Sequence, residues 1–221
     1  MWAQNPDDLY ADREHLASAR QAADIWAAQV SKDPKNFEAA WKLSRVYYWL
    51  GGHAPQPERR SFLEKGITAA QQAIAAQPNH PEGHFWSAAN MGTLAENAGL
   101  TTGLRYRKPV KTELETVLRL DPSYMEGSAD RVLGRWYDRV PFLLGGSKTQ
   151  AEAHLRASLK YDPNSTVSHF FLAELLLDAG RKSEARAELQ KVIDAPFDKE
   201  WAPEDQEYKD KARALLPKAS Q

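Results

Sequence analysis

With 221 residues, 42% of them apolar and 27% charged, the chain can bury a core as one domain and is too apolar to be disordered. Its 29 Lys and Arg balance 30 Asp and Glu to a net charge of −1, which argues against a general nucleic-acid binder, since that needs a basic face to displace counterions. The 33 alanines and 23 leucines, against 8 valines and 4 isoleucines, point to an all-α fold, and the absence of cysteine excludes disulfides, thiolate metal sites and cysteine nucleophiles.

In chain order, the pattern predicts a long N-terminal helix over about 9–31, then a series of helix pairs. Prolines mark the corners: Asp33-Pro34, Gln77-Pro78, Asp121-Pro122 and Asp162-Pro163 stand 44, 44 and 41 residues apart, and Pro196 follows 33 later. Proline ends one helix and is tolerated at the start of the next. Between corners, the segments carry the same internal order at helical spacing and break at a glycine. Examples are Ala40, Leu43, Tyr47 and Leu50 before Gly51, and His169, Leu172, Ala173 and Leu176 before Gly180. The expected units are about 35–77, 79–121, 123–162 and 164–195, within a single domain 1–221. A C-terminal helix over about 203–216 would cap the stack, its charged run Glu204, Asp205, Glu207, Lys209, Asp210 and Lys211 forming a solvated surface.

This arrangement resembles the tetratricopeptide repeat, whose 34-residue period the stretch Thr166 to Pro196 fits without insertion. The resemblance implies a tetratricopeptide-like right-handed helical solenoid. The earlier units carry seven to ten extra residues, which fall at the turn inside each pair, around 51–57, 98–103 and 140–146. Insertions in repeat proteins collect on one face, often the binding face.

The third unit holds the most distinctive string, from Leu133-Gly134-Arg135 through Val140-Pro141-Phe142-Leu143-Leu144 to Gly145-Gly146-Ser147-Lys148. With Pro81 to Trp86 and Gly180 to Arg186, it resembles the T-component family of TRAP transporters; regulator of microtubule dynamics proteins share a similar helical pattern. The T-component resemblance implies a periplasmic, often lipid-anchored repeat protein whose partner is a solute-binding protein. The chain lacks the signal and the lipobox cysteine of that family, so a periplasmic location requires that a leader was removed; otherwise the expectation is cytoplasmic. The longest apolar stretches, such as Phe170 to Ala173, fall far short of the ~20 residues that span a bilayer.

Ser147 and Gln150 read as a capping box after the Gly145-Gly146 turn. The chain has neither GxxxxGK[ST] nor GxGxxG, so no nucleotide cofactor is expected. His80 and His84 have ligand spacing, but Pro81 lies between them and no third ligand follows, so no metal is expected. No nucleophile elbow or paired carboxylates stand out, and the chain is read as non-catalytic.

The candidate binding residues lie on the first helices of the pairs and in the apolar loop. Arg131, Arg135 and Arg139 place three cations on one helix face, either to hold an anion or to pair internally with Asp130, Asp138 or a neighbouring unit. Groove positions by repeat alignment are Trp41, Arg45, Tyr48 and Trp49 in the first unit, Phe85 in the second and Phe170 in the fourth. Trp26, Trp86 and Trp136 are expected in the core. Phe142 and Leu143 lie in a loop that must be buried, line a cavity or meet a partner. The leading reading is a scaffold presenting its groove to another protein, with self-association open. The alternative is a carrier enclosing an apolar or anionic ligand, with Arg135 as counter-charge.

Overall fold

The computed structural model describes residues 5–97 and 99–219. Every regular element among them is helical: α1 (Pro6–Ala11), α2 (Leu16–Lys32), α3 (Phe37–His53), α4 (Gln56–Ala76), α5 (Pro81–Asn97), α6 (Leu100–Leu120), α7 (Tyr124–Arg139), α8 (Lys148–Ser158), α9 (Thr166–Asp178), α10 (Lys182–Asp194) and α11 (Ala202–Leu215), with 3-10 turns at Phe142–Leu144 and Leu216–Ala219. No helix among them is long and apolar enough to cross a membrane. The chain divides into two compact units, Met1–Asp121 and Pro122–Gln221, where the sequence reads as one domain.

The proline corners behave as local chemistry dictates. Asp33, Gln77 and Asp121 cap α2, α4 and α6, each donating its backbone N–H to the carbonyl four residues back, at 2.9, 2.9 and 2.8 Å. The next residue is proline, which favours extended backbone before it and so ends the helix. The carboxylates of Asp33 and Asp162 then accept the N–H of Lys35 at 3.0 Å and of Asn164 at 2.8 Å, folding the chain across the proline. Asn36 and Ser165 start the following helices by accepting from the N–H of Ala39 and Ser168.

The N-terminal unit is held by small residues where helices cross. Ala19, Ala22, Ala23 and Trp26 of α2 pack with Ala39, Ala40, Leu43 and Val46 of α3 and with Ala69 and Ala73 of α4. One polar node joins three helices: Ser44 (α3) donates to the Gly66 carbonyl (α4) at 2.8 Å, and the fully buried Asn90 (α5) donates to Ser44 Oγ at 3.1 Å and to the Trp86 carbonyl at 2.8 Å. A side chain at Gly66 would collide with the Asn90 side-chain amide, so Asn90 can lie against α4 there only because residue 66 is glycine.

In the C-terminal unit, Ala151 and Leu155 of α8 pack on Leu172, Leu175 and Leu176 of α9 and Ala185 of α10. A second cluster joins Phe170, Ala173, Leu189 and Val192 to Ala212 of α11.

Two sequence expectations are corrected. The helix expected over 9–31 is two elements, because the backbone turns over 12–15, where Arg13 is buried and its carbonyl accepts the Trp49 indole N–H at 2.7 Å. No glycine or proline marks this break. The charged run of α11 is not wholly solvated either: Asp205 and Lys209 are buried. Asp205 accepts from Thr166 at 2.7 Å and from the Asp198 N–H at 2.8 Å, while the Lys209 ammonium binds the carbonyls of Ile193 and Ala195 at the end of α10.

A histidine clasp recurs, once in each unit. Six residues after Pro78, the ring of His84 on α5 meets the Pro78 carbonyl through Nε2 at 2.9 Å and the Glu113 carboxylate of α6 through Nδ1. Six residues after Pro163, His169 on α9 meets the Pro163 carbonyl at 2.9 Å and Glu188 of α10 at 2.5 Å. Each ring faces an oxygen at both nitrogens, ties a corner to its own helix and reaches across to the second helix of the pair. Burial works against the Glu188 carboxylate, but His169 and Lys191 hold it below the usual carboxylate range.

The hydrogen bond to Glu113 holds His84 above the ordinary imidazole range, against burial and the Arg119 charge. The folded chain therefore binds this proton more tightly than the unfolded chain. The resulting stability is fully present below about pH 6.5 and lost as pH rises through the folded value. The melting temperature should fall as pH rises above about 6.5, and His84→Gln should flatten that fall when thermal unfolding is followed by circular dichroism.

Candidate functional site

The first-unit candidates separate into a surface and a core. Trp41, Arg45 and Tyr48 share one face of α3. The Arg45 guanidinium lies 4.0 Å from the Tyr10 ring and 5.0 Å from the Trp41 ring, and 3.7 Å from Asp7. Lys42 bonds Asp7 at 2.9 Å and Glu38 at 2.7 Å, so α1 already covers part of this face. Tyr48 is 37% exposed, its ring 5.6 Å from Trp86.

Trp49, expected in the groove, is buried. Besides its bond to Arg13, it stacks on His53 at 3.6 Å. Phe85 is buried edge-on to Trp86 at 5.1 Å, and Phe170 is buried in the α9–α10–α11 cluster beside Tyr208 at 5.4 Å. These three side chains serve packing, and an open groove cannot use them. Trp26 and Trp86 are buried and Trp136 is half-buried.

In the C-terminal unit the arginine stripe is largely an internal ladder. Arg135 and Arg139 of α7 converge on one Glu174 oxygen of α9, at 2.5 and 3.1 Å. Arg135 also lies 4.7 Å from the Phe171 ring, and Arg131 donates to Ser165 Oγ at 3.2 Å. Asp138 joins Arg139 at 3.5 Å to Lys148 at 2.6 Å, and Lys148 reaches Asp178 at 3.6 Å. An anion could sit between Arg135 and Arg139 only by displacing Glu174.

The apolar loop behaves differently. Phe142 is 84% and Leu143 93% exposed, so of the three placements open to this loop burial is excluded. The turn beneath them is well tied: Leu144 and Gly146 N–H donate to the Pro141 carbonyl at 2.8 and 3.1 Å, Gly145 N–H to Phe142 at 3.0 Å, and Ser147 N–H to Tyr137 at 2.9 Å. Gly145 adopts φ 102°, and a side chain at Gly146 would strike the Val140 carbonyl. Ser147 then caps α8, accepting the Gln150 N–H at 3.3 Å.

Sequence reasoning missed a further feature of the N-terminal unit. A cleft of about 440 Å³ lies between α4, α5 and α6, lined by Ile67, Met91, Tyr106 and Pro109, with Glu64, Arg105 and Glu113 among its polar groups. The signal is present in the sequence: Arg105, Arg107, Lys108 and Lys111 follow one another with no acidic residue between Glu96 and Glu113. The whole-chain balance, which is near zero, hides it.

The family model described as Regulator of microtubule dynamics protein 1-3 matches residues 3–141, more than half of the chain. A model described as Tetratricopeptide repeat matches residues 146–215. Regulator of microtubule dynamics protein 3 of Bos taurus is 28% identical over 137 residues, which are 62% of this chain and only 29% of that protein. Among solved structures, a thermophilic TPR protein of Thermus thermophilus has a TM-score of 0.72 at 22% identity, covering 97% of this chain and 98% of its own. MamA follows at 0.57 and 16%, covering 96% and 99%. Such likenesses fix the fold as tetratricopeptide-like. Proteins of this fold are in general scaffolds that bind other proteins.

The reassignment of Trp49 is directly measurable. Trp49→Ala should cost about 3–5 kcal/mol in urea unfolding, as for a large aromatic removed from a core. A surface tryptophan would cost about 0.5 kcal/mol or less.

Proposed function

We propose that this chain, which belongs to the Regulator of microtubule dynamics protein 1-3 family, is a non-catalytic module that binds other proteins through side chains presented at the turns of its helix pairs. The observation that carries this reading is the pair Phe142 and Leu143, held in water on a turn fixed by hydrogen bonds on both sides. A bonded turn cannot collapse to hide them, so their apolar surface is available to a partner at low entropic cost. The turn is also one of the three inserted stretches, where repeat proteins vary their binding face.

Two narrower readings fare differently. A periplasmic solute-binding protein of a TRAP system as partner rests on the sequence resemblance alone, and is one candidate among partners. A carrier enclosing its ligand with the apolar loop is disfavoured, since Phe142 and Leu143 point to solvent and Arg135 is engaged by Glu174.

Affinity capture from the source cells, with the wild type and with Phe142→Ser/Leu143→Ser, tests the reading. The double variant should melt within about 2 °C of the wild type, because exposed side chains add little to stability. It should lose at least one partner that the wild type retains. Identical recovery by both proteins would contradict the assignment; adding a purified TRAP solute-binding protein to the same assay tests the narrower partner.

A further inference from the structure

A second exposed surface lies on α6. Its buried residues are Val110, Leu114 and Val117, all beyond Pro109. The stretch 100–108 therefore has no fully buried side chain, although it is helical and carries two leucines four residues apart. Leu100 is 77% and Leu104 47% exposed. Proline at 109 removes the N–H that the Arg105 carbonyl would accept, so this half is joined to the packed half at a weakened point. Tyr106 and Arg107 lean half-buried toward the neighbouring helices, but Leu100, Leu104, Arg105 and Lys108 stay exposed, an apolar and basic surface without a counterpart.

Charge says what the counterpart is. Arg105 and Lys108 are exposed, and among the described residues neither stands in an ion pair; Arg105 has only the Tyr106 ring, at 5.2 Å. The carboxylates near the cleft are already engaged: Glu64 pairs with Arg60 at 2.9 Å and Glu113 with His84. Arg105 is thus the open charge of a cleft lined by Ile67, Met91, Tyr106 and Pro109 together with the uncharged polar Thr68, Gln71 and Ser87. A flat anionic bilayer cannot enter a cleft between three helices, whereas one side chain of a peptide can.

We infer that residues 100–108 of α6, with the cleft they border, dock an acidic, leucine-bearing segment of another protein. This deepens the protein-binding reading and rests on it. Carboxylates of the segment pair with Arg105 and Lys108, its apolar edge covers Leu100 and Leu104, and one apolar side chain enters the cleft. Because the cations are exposed, the pairing is screened by salt and sets selection more than strength.

Fluorescence anisotropy of the full chain with a labelled peptide of about sixteen residues, built of Glu, Leu and Ala in helical alternation, tests the proposal. Saturable binding is expected. It should weaken about tenfold or more in Arg105→Glu/Lys108→Glu and in Leu104→Asp, and on raising salt from about 50 to about 300 mM. All variants should keep the wild-type circular dichroism melt. The same peptide with Gln for Glu should bind at least about tenfold more weakly. Absence of saturable binding, or equal binding by the variants, would overturn the proposal. So would capture of the chain by phosphatidylserine vesicles through these residues without peptide binding. These sites lie outside the Phe142–Leu143 turn, so failure here with partner loss there would refute this surface and leave the module reading standing.

Discussion

Close approach of helix backbones is the constraint from which the rest of this structure follows. Side chains the size of leucine at every crossing would hold the helices apart and leave voids. Alanine at Ala19, Ala22, Ala39, Ala40, Ala69 and Ala73, and glycine at Gly66, remove that obstacle. Once helices approach, short polar groups reach across, as Ser44 and Asn90 do, and they fix one register because a shifted one would strand the buried Asn90 Nδ2 and Ser44 hydroxyl donors. Larger residues, Trp26 and Leu43 in one unit and Leu155 and Leu172 in the other, fill what remains.

That economy has a consequence at the surface. Each helix pair spends its apolar face on its neighbours and is closed at one end by a proline corner, where the chain is pinned by Asp carboxylates and by the His84 and His169 clasps. The opposite end, the turn inside the pair, is free of those duties. There the chain accommodates inserted residues, and there it exposes Leu100 and Leu104 in one unit and Phe142 and Leu143 in the other. Corner and turn thus divide labour: one end sets geometry, the other meets partners.

The sequence makes the first of these ends legible and conceals much of the second. Proline and aspartate act locally, so Asp33-Pro34 and Asp162-Pro163 announce their turns, and the alanine-rich periodicity announces helices with flat faces. The break over 12–15 carries no glycine or proline; Asp12 takes the Ser18 hydroxyl and the His15 ring locally, and Arg13 and Trp49, residues 36 apart, bond across it. The depth of Trp49, Phe85 and Phe170 escapes the sequence for a related reason. Repeat alignment gives the side of a helix, while burial depends on what packs there, such as Tyr208 against Phe170. The arginine stripe leaves both outcomes open in the sequence, and Glu174, 39 residues from Arg135, decides for the internal pair. The basic edge of α6 stands plainly at 105–111 and is lost in a whole-chain sum.

The account stands on the claim that the unburied turns are where other proteins touch this chain. Site-specific photo-crosslinking in the native cell tests it most directly, with a benzophenone amino acid at position 143 and, as control, at the exposed Gln190 of α10. The account predicts a discrete protein adduct from position 143 and none from position 190. Adducts of equal pattern from both positions, or none from 143, would contradict it.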